Sequence, residues 1–286
     1  MKKELINAIS KIEEIAQLDF ERDNELFIDP YRLNELDGEL AKRAKQKILG
    51  YFDLFFKYVK EKDEEGVKRI GRHLHEINAT KLGYTDKSNK PSGKGFCQRD
   101  LLFIFYKATQ ISDEIEDMPD ILILSDRVGP DKVSDLTTNI IYEELLEFTK
   151  SIINKYKLDI EFENRTKYIF NIESQNWEKK NILIPLIDNE EILFLPKKIV
   201  ATYEIFSYQS VYHDLVFPFY KIHTAIHNLV RFLKDGSTRP DCKKIMKKYP
   251  NRRATVEDFK NQYPKEYKNY KNNMIKDYWR QEIKKH

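Results

Sequence analysis

The chain has 286 residues, of which 41% are apolar and 34% charged, with 17 Tyr and 17 Phe, and this composition excludes collagen-like, low-complexity and wholly disordered proteins. The sequence contains no run of about 18 uninterrupted apolar residues and no signal-peptide core, so we expect no membrane partner and a cytoplasmic location. Cys97 and Cys242 are too few for a disulfide scaffold and lack the spacing of a zinc site, which fits a reducing compartment.

Residues 1–80 are predicted to be a helical N-terminal region. Apolar residues recur at helical spacing in 3–20 and in 34–61, where only Gly50 interrupts the pattern, and 64–77 favours a short third helix. We expect this region to pack or to contact a protein partner, and not to carry chemistry.

Residues 81–235 are predicted to be a mixed α/β core. It begins with a long loop, LGYTDKSNKPSGKG at 82–95, and long loops in compact domains are often functional. The elements predicted next are a helix (FCQRDLLFIFYKAT), a strand (DILILSDRV), a long helix from Asp131 or Ser134 to KSIINKY, a strand at 166–175, a β-hairpin of NILIPLI with EILFLPKKIV, and aromatic-rich helices over 203–232. With a basic, helical C-terminal segment at 236–286, the expected fold class is α+β.

Positive charge is concentrated at the C-terminal end. The whole chain has a formal charge of +3, but residues 231–286 hold 17 Lys and Arg against 7 Asp and Glu, a net +10, so residues 1–230 carry −7. Basic residues interleaved with aromatic ones can hold phosphates and stack on bases. The alternative is a helical cap whose aromatic side chains face the core and whose lysines are solvated. The aromatic residues concerned are Tyr249, Phe259, Tyr263, Tyr267, Tyr270, Tyr278 and Trp279.

Acidic residues are regularly spaced in SDRVGPDKVSDLTTN. Asp126 ends the predicted strand, and Asp131, Asp135 and Asn139 recur every four residues, which places them on one helical face. Oxygen ligands gathered in this way suit Mg²⁺ and metal-assisted hydrolysis of a phosphate substrate. The alternative is that the aspartates only cap the helix.

Ser92, Gly93, Lys94 and Gly95 precede a predicted helix. Small residues expose backbone amides, and a helix N-terminus favours anions, so this loop is a candidate for phosphate or nucleic-acid contact. The GxxxxGK[ST] pattern is absent, and an ordinary exposed loop is the alternative. The basic C-terminal candidates for nucleic-acid contact are Lys243, Lys244, Lys247, Lys248, Arg252 and Arg253.

Two groups of histidines have a spacing that could serve metal binding. His223 and His227 stand four residues apart, but HTAIH lacks the glutamate of HExxH. His73 and His75 precede Glu76 in a second cluster. We expect both groups to be packing or surface residues.

Three segments carry a family resemblance. In order, LGYTDKSNKPSGKG, VGPDKVSDLTTNII and ILFLPKKIV resemble a bacterial family of largely uncharacterised proteins associated with mobile elements and phage defence. The resemblance spans residues 81–270 and implies that the glycine loop and the GPDKVSD turn belong to one core. It supplies no catalytic residues.

A weaker resemblance is to the PD-(D/E)XK nucleases, in which an acidic residue is followed by a strand with an E/D/Q-x-K/Q triplet. Asp131 or Asp135 matches the first element, and Glu173-Ser174-Gln175 matches the second. The resemblance implies that Glu173 and the aspartate bind the metal and that Gln175 replaces the lysine that positions the attacking water. In this chain a long helix, and not a strand, follows the acidic turn.

The function predicted from the sequence is a divalent-metal-dependent nuclease in bacterial phage defence. In this hypothesis Asp131 and Asp135 bind Mg²⁺, with Asp126 and Asn139 assisting, and the basic residues hold the nucleic acid. Two alternatives stay open: a non-catalytic subunit of a defence complex that binds nucleic acid or protein, and a nucleotide sensor.

Overall fold

The structure is a computed structural model and describes residues 2–20, 24–83, 95–110, 128–202, 206–225 and 227–275. The chain folds as two units: unit 1 comprises residues 1–117 and 127–204, and unit 2 comprises residues 118–126 and 205–286. Helices and small antiparallel sheets together give an α+β fold, as the sequence predicts. The domain boundary predicted near residue 80 lies inside unit 1, and the one predicted near residue 235 lies inside unit 2. The strand predicted at 120–128 lies almost wholly outside the described residues.

Six helices make up nearly half of the described part of unit 1. Each is somewhat shorter than its sequence pattern predicts. The helices are α1 (Lys2–Ile9), α2 (Glu39–Glu61), α3 (Glu64–Gly71), α4 (Gln98–Gln110), α5 (Pro130–Ile140) and α6 (Tyr142–Tyr156). Single 3₁₀ turns occupy Pro30–Glu35, Asn78–Thr80 and Lys197–Ile199.

Capping residues explain several of these helix ends. The Asp29 carboxylate accepts the Tyr31 amide and starts a separate 3₁₀ turn, so the helix predicted from residue 34 begins only at Glu39. The single helix predicted from Asp131 onward is two helices, because Ile141 leaves helical geometry with φ −102° and ψ 22°. Pro130 stands in the first turn of α5, where its missing N–H costs nothing.

The main sheet of unit 1 is a long two-stranded ribbon. Strand β2 (Glu161–Asn171) pairs antiparallel with β3 (Asn176–Ile187), and β4 (Glu190–Glu191) adds only two residues to the end of β3. The predicted hairpin of NILIPLI with EILFLPKKIV forms only beside its turn, where Leu186 pairs with Glu191 and Ile187 with Glu190. The sequence does not predict that β3 pairs along its whole length with β2. A second sheet pairs β1 (Phe27–Ile28) with β5 (Val200–Ala201).

The core of unit 1 joins α2 to the closed end of the ribbon. The Tyr51 ring packs edge-on against Phe170 at 4.9 Å, and Phe170 packs in turn against Trp177 at 5.5 Å. Gly50 permits this approach, since a Cβ there would lie 2.3 Å from Ile172 Cδ1. A second buried cluster contains Ile9, Ile12, Ile15, Ile152, Ile153, Ile160, Ile192 and Phe194.

Unit 2 is helical around one short β-hairpin. Its core is aromatic, with Tyr220 stacked on Tyr249 at 3.6 Å and Phe259 fully buried. Helix was predicted up to residue 232, but a strand occupies the last three of these residues. The elements are α7 (Tyr208–Val211), a π-helical turn (Tyr212–Val216), α8 (Phe217–Ile222), β6 (Val230–Phe232), β7 (Thr238–Pro240), α9 (Cys242–Lys248), α10 (Arg253–Gln262) and α11 (Pro264–Ile275).

Candidate functional site

The predicted polar face of helix α5 is present in the structure. Its side chains form hydrogen bonds with backbone groups of other segments. Asp135 Oδ2 accepts the Phe96 N–H at 3.2 Å, and the same carboxylate accepts the Ile77 N–H. One turn further on, Asn139 Nδ2 donates to the His75 carbonyl at 2.6 Å. The N-cap of α5 is Gly129, and no described side chain caps this helix end. The α5 face therefore attaches the two chain segments that flank residues 84–94.

Burial and mutual repulsion raise the pKa values of these carboxyl groups. Burial is the main cause that raises the pKa of Asp135 to about 7, and the charges of Glu76 and Asp131 add to it, against the lowering by the Phe96 and Ile77 amides. Burial and then Glu76 also raise the pKa of Asp131. Asp131 Oδ1 is buried, and no described residue forms a hydrogen bond with it. Three acidic side chains therefore share this region.

The fit of these residues to Mg²⁺ can be judged from their contacts. Asp135 is committed to two backbone amides, which leaves Asp131 and Glu76 as the available carboxylates. Within the described ranges, no group of three or more His, Cys, Asp or Glu side chains is arranged to hold a metal ion. Asp126 lies outside the described residues. The residues described here do not by themselves form the predicted magnesium site.

The glycine loop is described only at its last residue. Ser92, Gly93 and Lys94 lie outside the described residues. At Gly95 a Cβ would lie 2.5 Å from Asp135 Oδ2 and 2.6 Å from Glu76 Cα. The small size of Gly95 thus makes room for a carboxylate and a backbone segment, and a phosphate placed here would face two acidic side chains.

Glu173 and Gln175 lie in the turn that joins β2 to β3. The Asn171 side chain accepts the Glu173 amide at 2.8 Å, and Gln175 has the left-handed φ of 53°. An Asx-type turn, and not the strand expected from the nuclease resemblance, therefore contains this triplet. Both side chains are exposed, and within the described part of the chain no hydrogen bond links either one to α5.

Helix α9 presents the predicted lysines to solvent. Only Ile245 is buried on this helix, and Lys243, Lys244, Lys247 and Lys248 are all exposed. Lys244 Nζ donates to the Val230 carbonyl at 3.0 Å, and Lys248 Nζ to the His227 carbonyl at 3.4 Å. Lys243 and Lys247 lie one turn apart, and no acidic side chain pairs with them among the described residues.

The two predicted arginines differ in position. Arg252 is exposed at the N-cap of α10. The Arg253 guanidinium lies over the Tyr208 ring, 5.1 Å from its centroid, and is partly buried. Arg252 therefore remains available to a phosphate, whereas Arg253 contributes to packing.

Sequence reasoning missed the hairpin beside α9. Arg231 and Arg239 lie directly opposite each other on β6 and β7, and Phe232 is 79% exposed. The signal for this hairpin is Asp235-Gly236, a favoured turn pair, with Gly236 at φ 81°. We define the basic hairpin surface as Arg231 and Arg239 on one face of the hairpin, Phe232 on its other face, and Lys243 and Lys247 on the adjoining helix α9.

The interleaved aromatic residues of unit 2 pack inward, as in the helical-cap alternative. Phe259 and Tyr267 are buried. His227 Nε2 lies 3.1 Å from the Tyr263 hydroxyl, inside the aromatic cluster, and burial first, then Lys248 and His223, lower the His227 pKa. Tyr278 and Trp279 lie outside the described residues.

None of the described helices is both long and apolar enough to cross a membrane. No curated protein and no solved structure matches the chain. The profile of a domain of unknown function, DUF8370, matches residues 6–207. This range covers nearly all of unit 1 and ends at residue 207, near the start of the 205–286 segment of unit 2, so the basic hairpin surface lies beyond it. Because the match exceeds half of the chain, the protein belongs to the DUF8370 family.

Proposed function

We propose that the protein binds nucleic acid through the basic hairpin surface of unit 2. The main support for this proposal is that two pairs of positively charged side chains lie close to each other in unit 2. Arg231 faces Arg239 across the hairpin, and Lys243 precedes Lys247 by one helical turn. No ion pair compensates these four side chains within the part of the chain that the structure describes.

Like charges at such positions destabilise a folded protein. Directly opposed charges on paired strands repel, and so do charges four residues apart on a helix, each by a few tenths of a kcal/mol. A polyanion bound across the surface removes this cost, and each phosphate that a cation neutralises releases counterions.

Phe232 adds a preference for unpaired bases. Its ring is 79% exposed on the face of the hairpin opposite Arg231 and Arg239, where a strand that crosses the hairpin edge can reach it. Aromatic side chains of this kind stack on bases that are not held in a duplex. The proposed substrate is therefore single-stranded DNA or RNA.

A direct test compares two double variants of the intact chain. Fluorescence anisotropy would measure the affinity for labelled single-stranded DNA, single-stranded RNA and duplex DNA. We expect Arg231→Ala/Arg239→Ala to bind single strands at least about tenfold more weakly, because two phosphate contacts are lost. The matched control is Lys57→Ala/Lys60→Ala, which removes the same charge from the exposed side of α2. Equal affinities of the two variants would refute the proposal.

Metal-dependent cleavage of the bound strand is the second candidate. The observation in its favour is the buried, unpartnered Asp131 Oδ1 beside Glu76 and Asp135. We place binding first because the described carboxylates do not form a metal site. The same oligonucleotides, incubated with Mg²⁺ or Mn²⁺ and with EDTA, decide the matter. Metal-dependent cutting that is lost in a folded Asp131→Asn/Asp135→Asn chain would establish a nuclease.

The proposed cellular setting is bacterial phage defence, in the cytoplasm where the nucleic acid lies. It rests on the resemblance of the three sequence segments. Plaque counts on cells that produce the wild-type chain or the Arg231→Ala/Arg239→Ala variant test this setting. We expect fewer plaques on cells that produce the wild-type chain than on cells that produce the variant. Equal counts on cells with and without the wild-type chain would contradict a role in phage defence. A protein partner of the helical N-terminal region stays a prediction.

A further inference from the structure

A cavity of about 400 Å³ lies in unit 1, beside the ribbon. The segment 72–77, strand β2 and the adjoining ends of α5 and α6 line it, and one side is open to solvent. Its volume is within the range of small-molecule sites, about 300–1,000 Å³. Of the residues assigned to the metal-dependent nuclease, only Asn139 lines this cavity, and no residue of the basic hairpin surface does.

An aromatic pair forms one wall of the cavity. The His73 ring stacks on Tyr168 with 3.6 Å between the ring centroids and 8° between the planes. Trp177 meets His73 edge-on and is itself fixed by a 2.7 Å bond from Nε1 to the Ile70 carbonyl. Tyr168 remains 44% exposed although His73 covers one face of its ring. The wall is thus rigid and leaves aromatic surface for a planar ligand.

Asn139 supplies an unused acceptor to the cavity. Its Nδ2 donates to the His75 carbonyl at 2.6 Å and to the Asp135 carbonyl at 2.8 Å. Since carbonyl oxygens only accept, these bonds fix which amide atom is the nitrogen. Asn139 is only 2% exposed, and within the described ranges no donor reaches its Oδ1. Among the described residues, Oδ1 is not one of the fully buried polar atoms without a partner, so it is open to the cavity, where a ligand can donate to it.

The cavity also has one uncompensated cation. Lys167 pairs with Glu191 at 2.6 Å and lies over the Tyr142 ring. Arg72 is exposed at the opening and makes no ion pair with any described residue. Its guanidinium suits a phosphate, for which arginine has the matching geometry.

We propose that this cavity binds a nucleotide. The base stacks on Tyr168, a base N–H donates to Asn139 Oδ1, and the phosphate binds Arg72. The proposal is independent of the basic hairpin surface of unit 2. The nucleotide is either free or part of a strand, and the test separates these two sources.

Calorimetric titration of the intact chain tests the proposal. The Arg231→Ala/Arg239→Ala chain is the background, so that phosphate binding by unit 2 contributes little heat. The probes are the four common nucleoside monophosphates and the matching nucleosides. We expect the monophosphate to bind roughly tenfold more tightly than the nucleoside, because a charged hydrogen bond is added.

Two variants locate the ligand. Arg72→Ala removes no hydrogen bond or ion pair of the described residues and should bring the monophosphate-to-nucleoside affinity ratio close to one. Tyr168→Ala should weaken both ligands by roughly tenfold through lost stacking. The control Lys57→Ala, which removes an exposed charge from α2, should change neither affinity.

The same variants distinguish the source of the nucleotide. If only oligonucleotides bind, and Arg72→Ala and Tyr168→Ala both weaken them, the site takes a nucleotide within a strand. Binding of mononucleotides with the same sensitivity identifies a free nucleotide as the ligand. The proposal is overturned if neither class binds at millimolar concentration, or if binding is unchanged in both variants.

Discussion

The Asp135 carboxyl group accepts hydrogen bonds from two backbone segments, at Ile77 and Phe96. Its pKa is raised, so the protonated form is favoured over a wider pH range than in a free aspartate. Burial is the main reason that its pKa is raised from 3.8 to about 7, with repulsion from Glu76 and Asp131 adding to it. The folded protein therefore binds this proton more tightly than the unfolded chain does. The stabilising contribution is complete below about pH 4 and is lost as the pH rises through about 7.

Asp135→Asn should remove this pH dependence while an amide oxygen still accepts from the backbone. Between about pH 4 and about pH 7, the unfolding free energy of the wild type should fall relative to that of the variant by up to roughly 1.4 kcal/mol per pH unit. Urea unfolding of both chains across this range measures the difference. Parallel stability curves would contradict the assigned protonation.

Gly95 lacks a side chain because Asp135 and the Glu76 backbone occupy the space. A Cβ there would lie 2.6 Å from Glu76 Cα, a backbone atom that cannot rotate away. Gly95→Ser should therefore destabilise the protein by about 1–3 kcal/mol. Gly129→Ser is the matched control, because nothing lies within 4 Å of its Cβ position and serine is a favoured N-cap. Thermal unfolding of both variants tests this, and equal effects would be inconsistent with the crowding.

At the residue scale, helical spacing correctly predicts that Asp131, Asp135 and Asn139 share a face. It does not predict that Glu76 and Gly95 lie against that face, because these residues come from other segments and only tertiary packing brings them there. The bond from the Asn139 amide nitrogen to the His75 carbonyl likewise exists only because the segment 72–77 packs against α5.

At the scale of elements, apolar periodicity predicts α2 and α4 well but does not predict strand pairing. Pairing depends on turns, and the two turns of the main sheet use left-handed residues, Gln175 in one and Asp188 with Asn189 in the other. Neither turn carries a glycine. The Asp188-Asn189 turn lies where the sequence predicts one, between NILIPLI and EILFLPKKIV, whereas nothing in the sequence predicts the turn at Gln175. The β6–β7 hairpin does have a recognisable turn pair, Asp235-Gly236. The aromatic residues that precede it led to a helix prediction up to residue 232.

A substitution of Phe232 in strand β6 tests whether the protein prefers single-stranded nucleic acid. Because the ring is 79% exposed, Phe232→Ala should change the unfolding free energy by less than about 0.5 kcal/mol. Affinity for single-stranded DNA should fall by about 1–3 kcal/mol through lost base stacking, with duplex affinity unchanged. Ile222→Ala is the matched control, since Ile222 is 77% exposed in the same unit. Anisotropy titrations would contradict base stacking if the two variants bound single strands alike.

For the whole molecule, family membership and basic charge belong to different parts of the chain. The DUF8370 match spans residues 6–207, and residues 231–286 carry the net charge of +10. The cavity lies in the first part and the basic hairpin surface in the second. The two proposed sites are tested with different variants, so a result that refutes one proposal leaves the other standing.

Salt dependence tests the central claim, phosphate binding by the basic hairpin surface, most directly. The measurement is the affinity of the intact chain for single-stranded DNA over a range of KCl concentrations, for the wild type and for Arg231→Ala/Arg239→Ala/Lys243→Ala/Lys247→Ala. Four lost phosphate contacts should reduce the slope of log K against log salt by about 3. An unchanged slope in this variant, or an equal change in Lys57→Ala/Lys60→Ala, would contradict the account.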